Sequence, residues 1–181
     1  GVIQAVSGAM SVMGRDVADG GAEDAPIKAP FPIVDMSGGM VAVQGILLAL
    51  LARERHGVGQ HVDVSLFEAS LVLQKSSLTR YLGSRKLPDR TGSRAPYATP
   101  NAVYRTQDGY IMIAAYTAKR WHALCHDVLD RPELETDPRF EVRTTRQNHH
   151  LELKDIIESV LATRPTAEWL ALCEKHDLIC A

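Results

Sequence analysis

Val2, Ile3, Val6 and Met10 recur at near-helical spacing, which predicts a helix over residues 2–13 that stops at Gly14. The acidic, glycine-containing stretch from Arg15 to Pro26 reads as a surface loop, and Pro30 and Pro32 hold the chain extended beyond it. Residues 37–55 are apolar nearly all round, a pattern that predicts a helix buried on most sides or held in a subunit interface. Its most apolar part, Met40 to Ala52, is interrupted by Gln44 and Gly45 and falls short of the ~20 residues a bilayer requires. Arg53-Glu54-Arg55-His56-Gly57 then supplies a basic last turn and a glycine stop.

Farther along, His61-Val62-Asp63-Val64-Ser65 alternates polar and apolar, as a strand with one buried face does. Ser65-Leu66-Phe67-Glu68 is a capping box and opens a helix expected to reach Leu82. From Gly83 to Pro100 the chain turns irregular and basic, with Arg85, Lys86, Arg90 and Arg94; this long connection is the expected domain boundary. Residues 102–106 and 110–114 flank Gln107-Asp108-Gly109 and predict a β-hairpin. Helices are expected near 118–129, 145–162 and 166–176, the last capped by Thr166, and Leu178-Ile179-Cys180-Ala181 reads as the start of a strand.

Composition narrows the class. The 181 residues suit one domain or one and a half. A net charge of −2 gives no global basic field, so neither nucleic acid nor a membrane surface is an expected partner. Cys125, Cys173 and Cys180 form no framework or CxxC pattern and read as small buried fillers in a reduced, cytoplasmic protein. His122 and His126 have a spacing that can hold zinc, but the sequence places no third ligand beside them. They and the adjacent pair His149-His150 are read as surface residues, and no metal is expected. Trp121 and Trp169 are expected in the core. The uncapped beginning and the interrupted final strand read as those of an excised piece.

One residue carries chemistry. Asp35 stands in Ile33-Val34-Asp35-Met36-Ser37-Gly38-Gly39-Met40, where a short apolar run meets the long apolar helix. Helix N-terminal amides favour a negative charge and could stabilise an oxyanion formed on a substrate carbonyl. Gly38 and Gly39 would let a substrate approach the backbone. The alternative is an ordinary N-cap aspartate.

The series Ile3-Gln4-Ala5-Val6-Ser7-Gly8, Asp35-Met36-Ser37-Gly38-Gly39, Leu48-Ala49-Leu50-Leu51-Ala52-Arg53 and Gly57-Val58-Gly59-Gln60-His61-Val62-Asp63-Val64-Ser65-Leu66 resembles the family III CoA-transferases. Thr106-Gln107-Asp108-Gly109-Tyr110-Ile111, Trp121, Asp137-Pro138-Arg139-Phe140, Arg146, Asn148 and Glu168-Trp169 continue the resemblance in order.

The resemblance implies an α/β protein: residues 1–83 as part of a Rossmann-like large domain with a linker helix, and 84–181 as a smaller, mostly helical α+β domain with a hairpin. It also implies Asp35 as the nucleophile, an acyl-CoA and a carboxylic acid as substrates, coenzyme A as substrate with no further cofactor, and an interlocked homodimer. The basic loop corresponds to the segment that carries a glycine-rich lid in formyl-CoA transferase. The glycine cluster is missing here, and either Arg94 pairs with a substrate carboxylate and Tyr97 walls the acyl pocket, or the loop is a solvated linker. Most CoA contacts would lie before Gly1, so the isolated chain is expected to be inactive. Two other readings remain: an α-methylacyl-CoA racemase, with Asp35 as an acid–base group, and a non-catalytic helical interaction module.

Overall fold

The computed structural model describes all 181 residues. The chain divides into two compact units, Gly1–Gly92 and Ser93–Ala181, with the division inside the basic connection.

The first unit is helical. α1 (Val2–Val6) is a single short turn of helix followed by a 3₁₀ turn, Ala9–Val12, in place of one continuous helix. Gly8 lies between them at φ 79°, a left-handed conformation that interrupts the α ladder. Gln4 is buried and accepts a hydrogen bond from Ala29 N–H at 2.9 Å, which ties α1 to the extended segment before the long helix.

α2 (Ile33–His56) begins four residues earlier than the apolar pattern indicates and closes at Gly57, whose N–H reaches Arg53 O at 2.8 Å. At 24 residues it is long and apolar enough, by length and composition, to cross a membrane, unlike the shorter run read from sequence. It is also mostly exposed. Met36, Met40, Val43, Ile46, Leu47 and Leu48 are all 50% accessible or more, so the burial expected on most sides is not supplied within this chain.

α3 (Leu66–Leu73) starts at Ser65, whose hydroxyl accepts Glu68 N–H at 3.3 Å, as the capping box requires. The expected single helix breaks at Gln74, and α4 (Lys75–Ser84) follows. The side-chain amide of Gln74 donates to Ser7 O and Ser70 O, which holds the break against α1. Residues 61–65 form no regular element and pair with no strand. Their alternation was genuine, but a strand needs a neighbour to take its backbone N–H and C=O groups, and this chain offers none.

The second unit packs helices on a three-stranded antiparallel sheet. β1 (Asn101–Arg105) and β2 (Tyr110–Ala114) form the expected hairpin, and β3 (Ile179–Cys180) pairs on the other edge of β2. Ala102 faces Ile113 and Tyr104 faces Ile111 in the ladder, and all four are buried. α5 (Ala118–Ala123) runs into a π-helical turn, Leu124–Val128, and α6 (Glu133–Thr136) follows.

One helix was expected over 145–162; instead α7 (Arg143–Asn148) and α8 (His150–Leu161) meet at His149. Leu153, Ile157 and Leu161, at i, i+4 and i+8 on α8, are fully buried, each worth about 1.5–3 kcal/mol. In α9 (Thr166–Lys175), Thr166 is the first helical residue and not the cap. Asp108 in the hairpin turn takes the capping role, accepting Thr166 N–H at 2.7 Å and its hydroxyl at 2.8 Å. Trp121 and Trp169 are each 2% exposed, as expected of core residues.

Candidate active site

Val34, Ser37 and Gly38 are the buried positions of α2, at i, i+3 and i+4. That periodicity seats one stripe of the helix start and turns Asp35 the other way. Asp35 is therefore exposed, in the first turn, where backbone amides lack helical partners. It does not cap the helix: Pro32 occupies the N-cap and no side chain closes that end. No hydrogen bond or ion pair from this chain engages the Asp35 carboxylate. Ser37, two residues on, turns its hydroxyl back to Ile33 O at 2.7 Å and is not available to it.

The two glycines behave differently. A Cβ at Gly38 would meet Leu66 Cδ2 at 2.3 Å, so its missing side chain makes room for α3 and not for an incoming molecule. A Cβ at Gly39 would meet nothing within 4 Å. Gly39 lies one turn beyond Asp35 on the same face, and helical side chains lean toward the N-terminus. A larger residue there would overhang Asp35, whereas glycine leaves the approach to the carboxylate uncovered.

Beneath the start of α2 is a mostly apolar cavity of about 180 Å³, lined by Gln4, Val12, Met13, Ala29, Ile33, Val34, Ser70 and Leu73 among others. Ser7 and Ser70 hydroxyls meet at 2.7 Å beside it, and Gln74 bonds to both residues. The sequence reading did not assign this polar cluster. Its members lie up to 67 residues apart, and the only signal was polar side chains recurring at otherwise apolar helical positions.

Arg94 and Tyr97 belong to the second unit. Arg94 is half-buried, Tyr97 is 59% exposed, and the Tyr97 carbonyl accepts from Arg143 Nη2 at 3.0 Å. Their segment is folded onto the hairpin, with Ala95 N–H on Asn101 O and Val103 N–H on Ser93 Oγ. This part of the basic connection is held in place, whereas residues 83–87 before it are exposed. The basic residue that matters most to the first unit is Arg90: 8% exposed, it donates to the carbonyls of Gly21, Ala22 and Asp24.

In the second unit a cleft of about 670 Å³ is lined by Tyr116, Thr117, Trp121, Glu135, Arg143 and Arg146 among others. Arg146 is 4% exposed, lies over the Trp121 ring at 4.6 Å and donates to Phe140 O at 2.9 Å; burial pushes its guanidinium below the usual arginine value.

The chain belongs to CoA-transferase family III, whose model matches residues 1–181.

Among individual proteins, it is 36% identical over 175 residues to the acetyl-CoA:oxalate CoA-transferase of Acetobacter aceti, covering 96% of this chain and 43% of that protein. It is 35% identical over 167 residues to the probable fatty acyl-CoA transferase Rv3272 of Mycobacterium tuberculosis, covering 87% of this chain and 42% of that protein. The orthorhombic crystal structure of Rv3272 superposes with a TM-score of 0.84 at 32% identity, over 99% of this chain and 45% of the other. The chain thus spans less than half the length of these relatives.

Proposed function

We propose that the protein containing this chain moves coenzyme A from an acyl-CoA thioester to a carboxylic acid, with Asp35 as the covalent nucleophile. The observation that carries the reading is the Asp35 carboxylate itself: exposed, without a partner, and left uncovered by Gly39. Family membership and relatives whose names describe CoA-transferases support it.

In this reading an Asp35 oxygen attacks the thioester carbonyl, the C–S bond breaks, and the CoA thiolate leaves a mixed anhydride. The thiolate then attacks the Asp35 carbonyl carbon, expelling the donor acid as its carboxylate and forming an enzyme–CoA thioester. An acceptor carboxylate attacks that thioester and releases the thiolate again. The thiolate attacks the acyl carbon of the new anhydride, so that acyl-CoA forms and the Asp35 carboxylate returns. A carboxylate suits both halves of the cycle because it is a usable nucleophile and a usable leaving group. No cofactor enters beyond coenzyme A, which is a substrate.

Arg94 pairs with a substrate carboxylate and Tyr97 walls the acyl site in the assembled enzyme, a cytoplasmic homodimer. The 181-residue chain alone does not turn over.

The test is to incubate the full-length protein with acyl-CoA, quench with hydroxylamine and map the product by mass spectrometry. An Asp35 hydroxamate, absent from Asp35→Ala along with turnover, is expected. Undiminished turnover in Asp35→Ala would leave the carboxylate with no covalent role. Solvent deuterium entering the α-carbon without any hydroxamate would make the enzyme an epimerase instead.

A further inference from the structure

We propose that His122, His126 and Glu135 form a binding site for a divalent transition-metal ion, with zinc as the ligand that best fits the donor set. Spacing gives the first two ligands one face of a helix, and the fold supplies the third, which the sequence did not reveal. α5 carries His122 and the π-helical turn carries His126; their rings stack with centroids 4.1 Å apart. The chain reverses after Asp130, and α6 brings Glu135 back across both rings.

His122 Nδ1 lies 3.0 Å and His126 Nε2 2.8 Å from the same oxygen, Glu135 Oε2. The three ligand atoms all lie within 4.8 Å of one another.

Two ring nitrogens converging on one carboxylate oxygen is an arrangement in which a cation can replace the hydrogen bonds. A tetrahedral zinc with bonds of about 2.0–2.1 Å needs its ligand atoms ~3.3 Å apart. The two nitrogen–oxygen separations therefore need to widen by roughly half an ångström or less, and the two nitrogens, within 4.8 Å of each other, to settle at the same spacing. Both histidines are exposed and Glu135 is half-buried, so an ion can enter from solvent, and water completes the coordination.

Two imidazoles and one carboxylate favour zinc or copper(II) over magnesium or calcium, which require more oxygen ligands. The residues belong to the second unit and Asp35 to the first, and the bound ion would clip α6 to the π-helical turn as a structural device.

The experiment uses the metal-stripped 181-residue chain titrated with zinc chloride by calorimetry, with copper(II) as a spectroscopic probe. One equivalent is expected to bind, with paramagnetic resonance of the copper form showing two nitrogen ligands. His122→Ala and His126→Ala should each weaken zinc binding at least tenfold, and Glu135→Gln less. Zinc should raise the melting temperature of the wild-type chain but not of the double histidine variant. Because both rings are exposed, the variants should keep the wild-type circular dichroism spectrum. No binding by the wild-type chain, or equal binding by the double variant, would overturn the proposal.

Discussion

Replacing Arg90 tests how the first unit keeps its loop. The guanidinium donates to Asp24 O at 2.6 Å, Gly21 O at 2.6 Å and Ala22 O at 3.1 Å. Hydrogen bonds to a charged donor are worth about 1.5–3 kcal/mol each, but the three are not equal and do not add. Ala22 is exposed, so its carbonyl rehydrates once the arginine is gone and that loss is small. Gly21 is buried, and without the arginine its carbonyl keeps only the longer bond from Asp24 N–H at 3.2 Å.

Truncation to Arg90→Ala should therefore cost about 2–4 kcal/mol, most of it from the Gly21 and Asp24 carbonyls. Arg90→Lys keeps the charge but cannot fork, and should recover about half of that loss. Gly14→Ala should fail in the same direction, since φ there is 139° and the added carbon would meet Arg90 Cδ at 2.9 Å. Urea unfolding followed by circular dichroism gives the energies, and hydrogen exchange of the amides of Val17 and Gly21 locates them. If Arg90→Lys equals the wild type, charge alone suffices and the three-carbonyl latch is wrong; if Arg90→Ala is neutral, the loop is held by something else.

Acid should unfold the second unit through its paired carboxylates. Hydrogen bonds from Thr166, Arg139 and His149 respectively hold the Asp108, Asp137 and Glu152 carboxyls below the ordinary range. Their contribution is complete above the unfolded value of about 4 and is lost as pH falls through the lower folded values, so the melting temperature should drop between about pH 5 and pH 3. A double Asp108→Asn, Asp137→Asn variant should flatten that profile, and an unchanged slope would mean the pairs do not report on stability. Burial pushes the Cys125 and Cys173 thiols up to about 12, while Cys180 is only partly buried. Iodoacetamide labelling of the native chain near pH 8 should modify Cys180 first and the other two only after unfolding, as read by mass spectrometry; rapid labelling of Cys125 would contradict its burial.

What the sequence made legible is what short-range physics decides. The hairpin appeared where alternation and an Asp-Gly turn required it, and Ser65 caps α3 because its partner amide is three residues away. The features that escaped are made by distant residues. Thr166 read as a cap because no local rule announces that Asp108, 58 residues earlier, would take its place. Glu135 was absent from the histidine pair's reading because it lies 13 residues beyond His122 and 9 beyond His126, a spacing that no ligand motif marks. Arg90 gained no role of its own in the basic connection because its partners are backbone carbonyls, which leave no trace in residue type.

The cover expected for α2 and the strand neighbour expected for residues 61–65 are both missing within the chain, and for one reason. In both, side-chain pattern announces a contact: an all-round apolar helix announces cover, and an alternating run announces a neighbouring strand. Neither is met by residues of this chain, which spans 43% of one relative's length and 45% of another's. Burial of apolar area is worth roughly 25 cal/mol per Å², so leaving Met40, Leu47 and Leu48 60% or more exposed forfeits a stabilisation that the sequence is patterned to collect. Asp35 is exposed on the same helix but differs in kind. A charged carboxylate gains nothing from being covered by hydrocarbon, and the residue that would overhang it is Gly39, with open space at its Cβ position. Exposure at the leucines is thus a pattern left incomplete within the chain. At Asp35 it is the condition that the proposed nucleophile requires, and only there do residue type, helix position and neighbouring glycine all favour the same outcome.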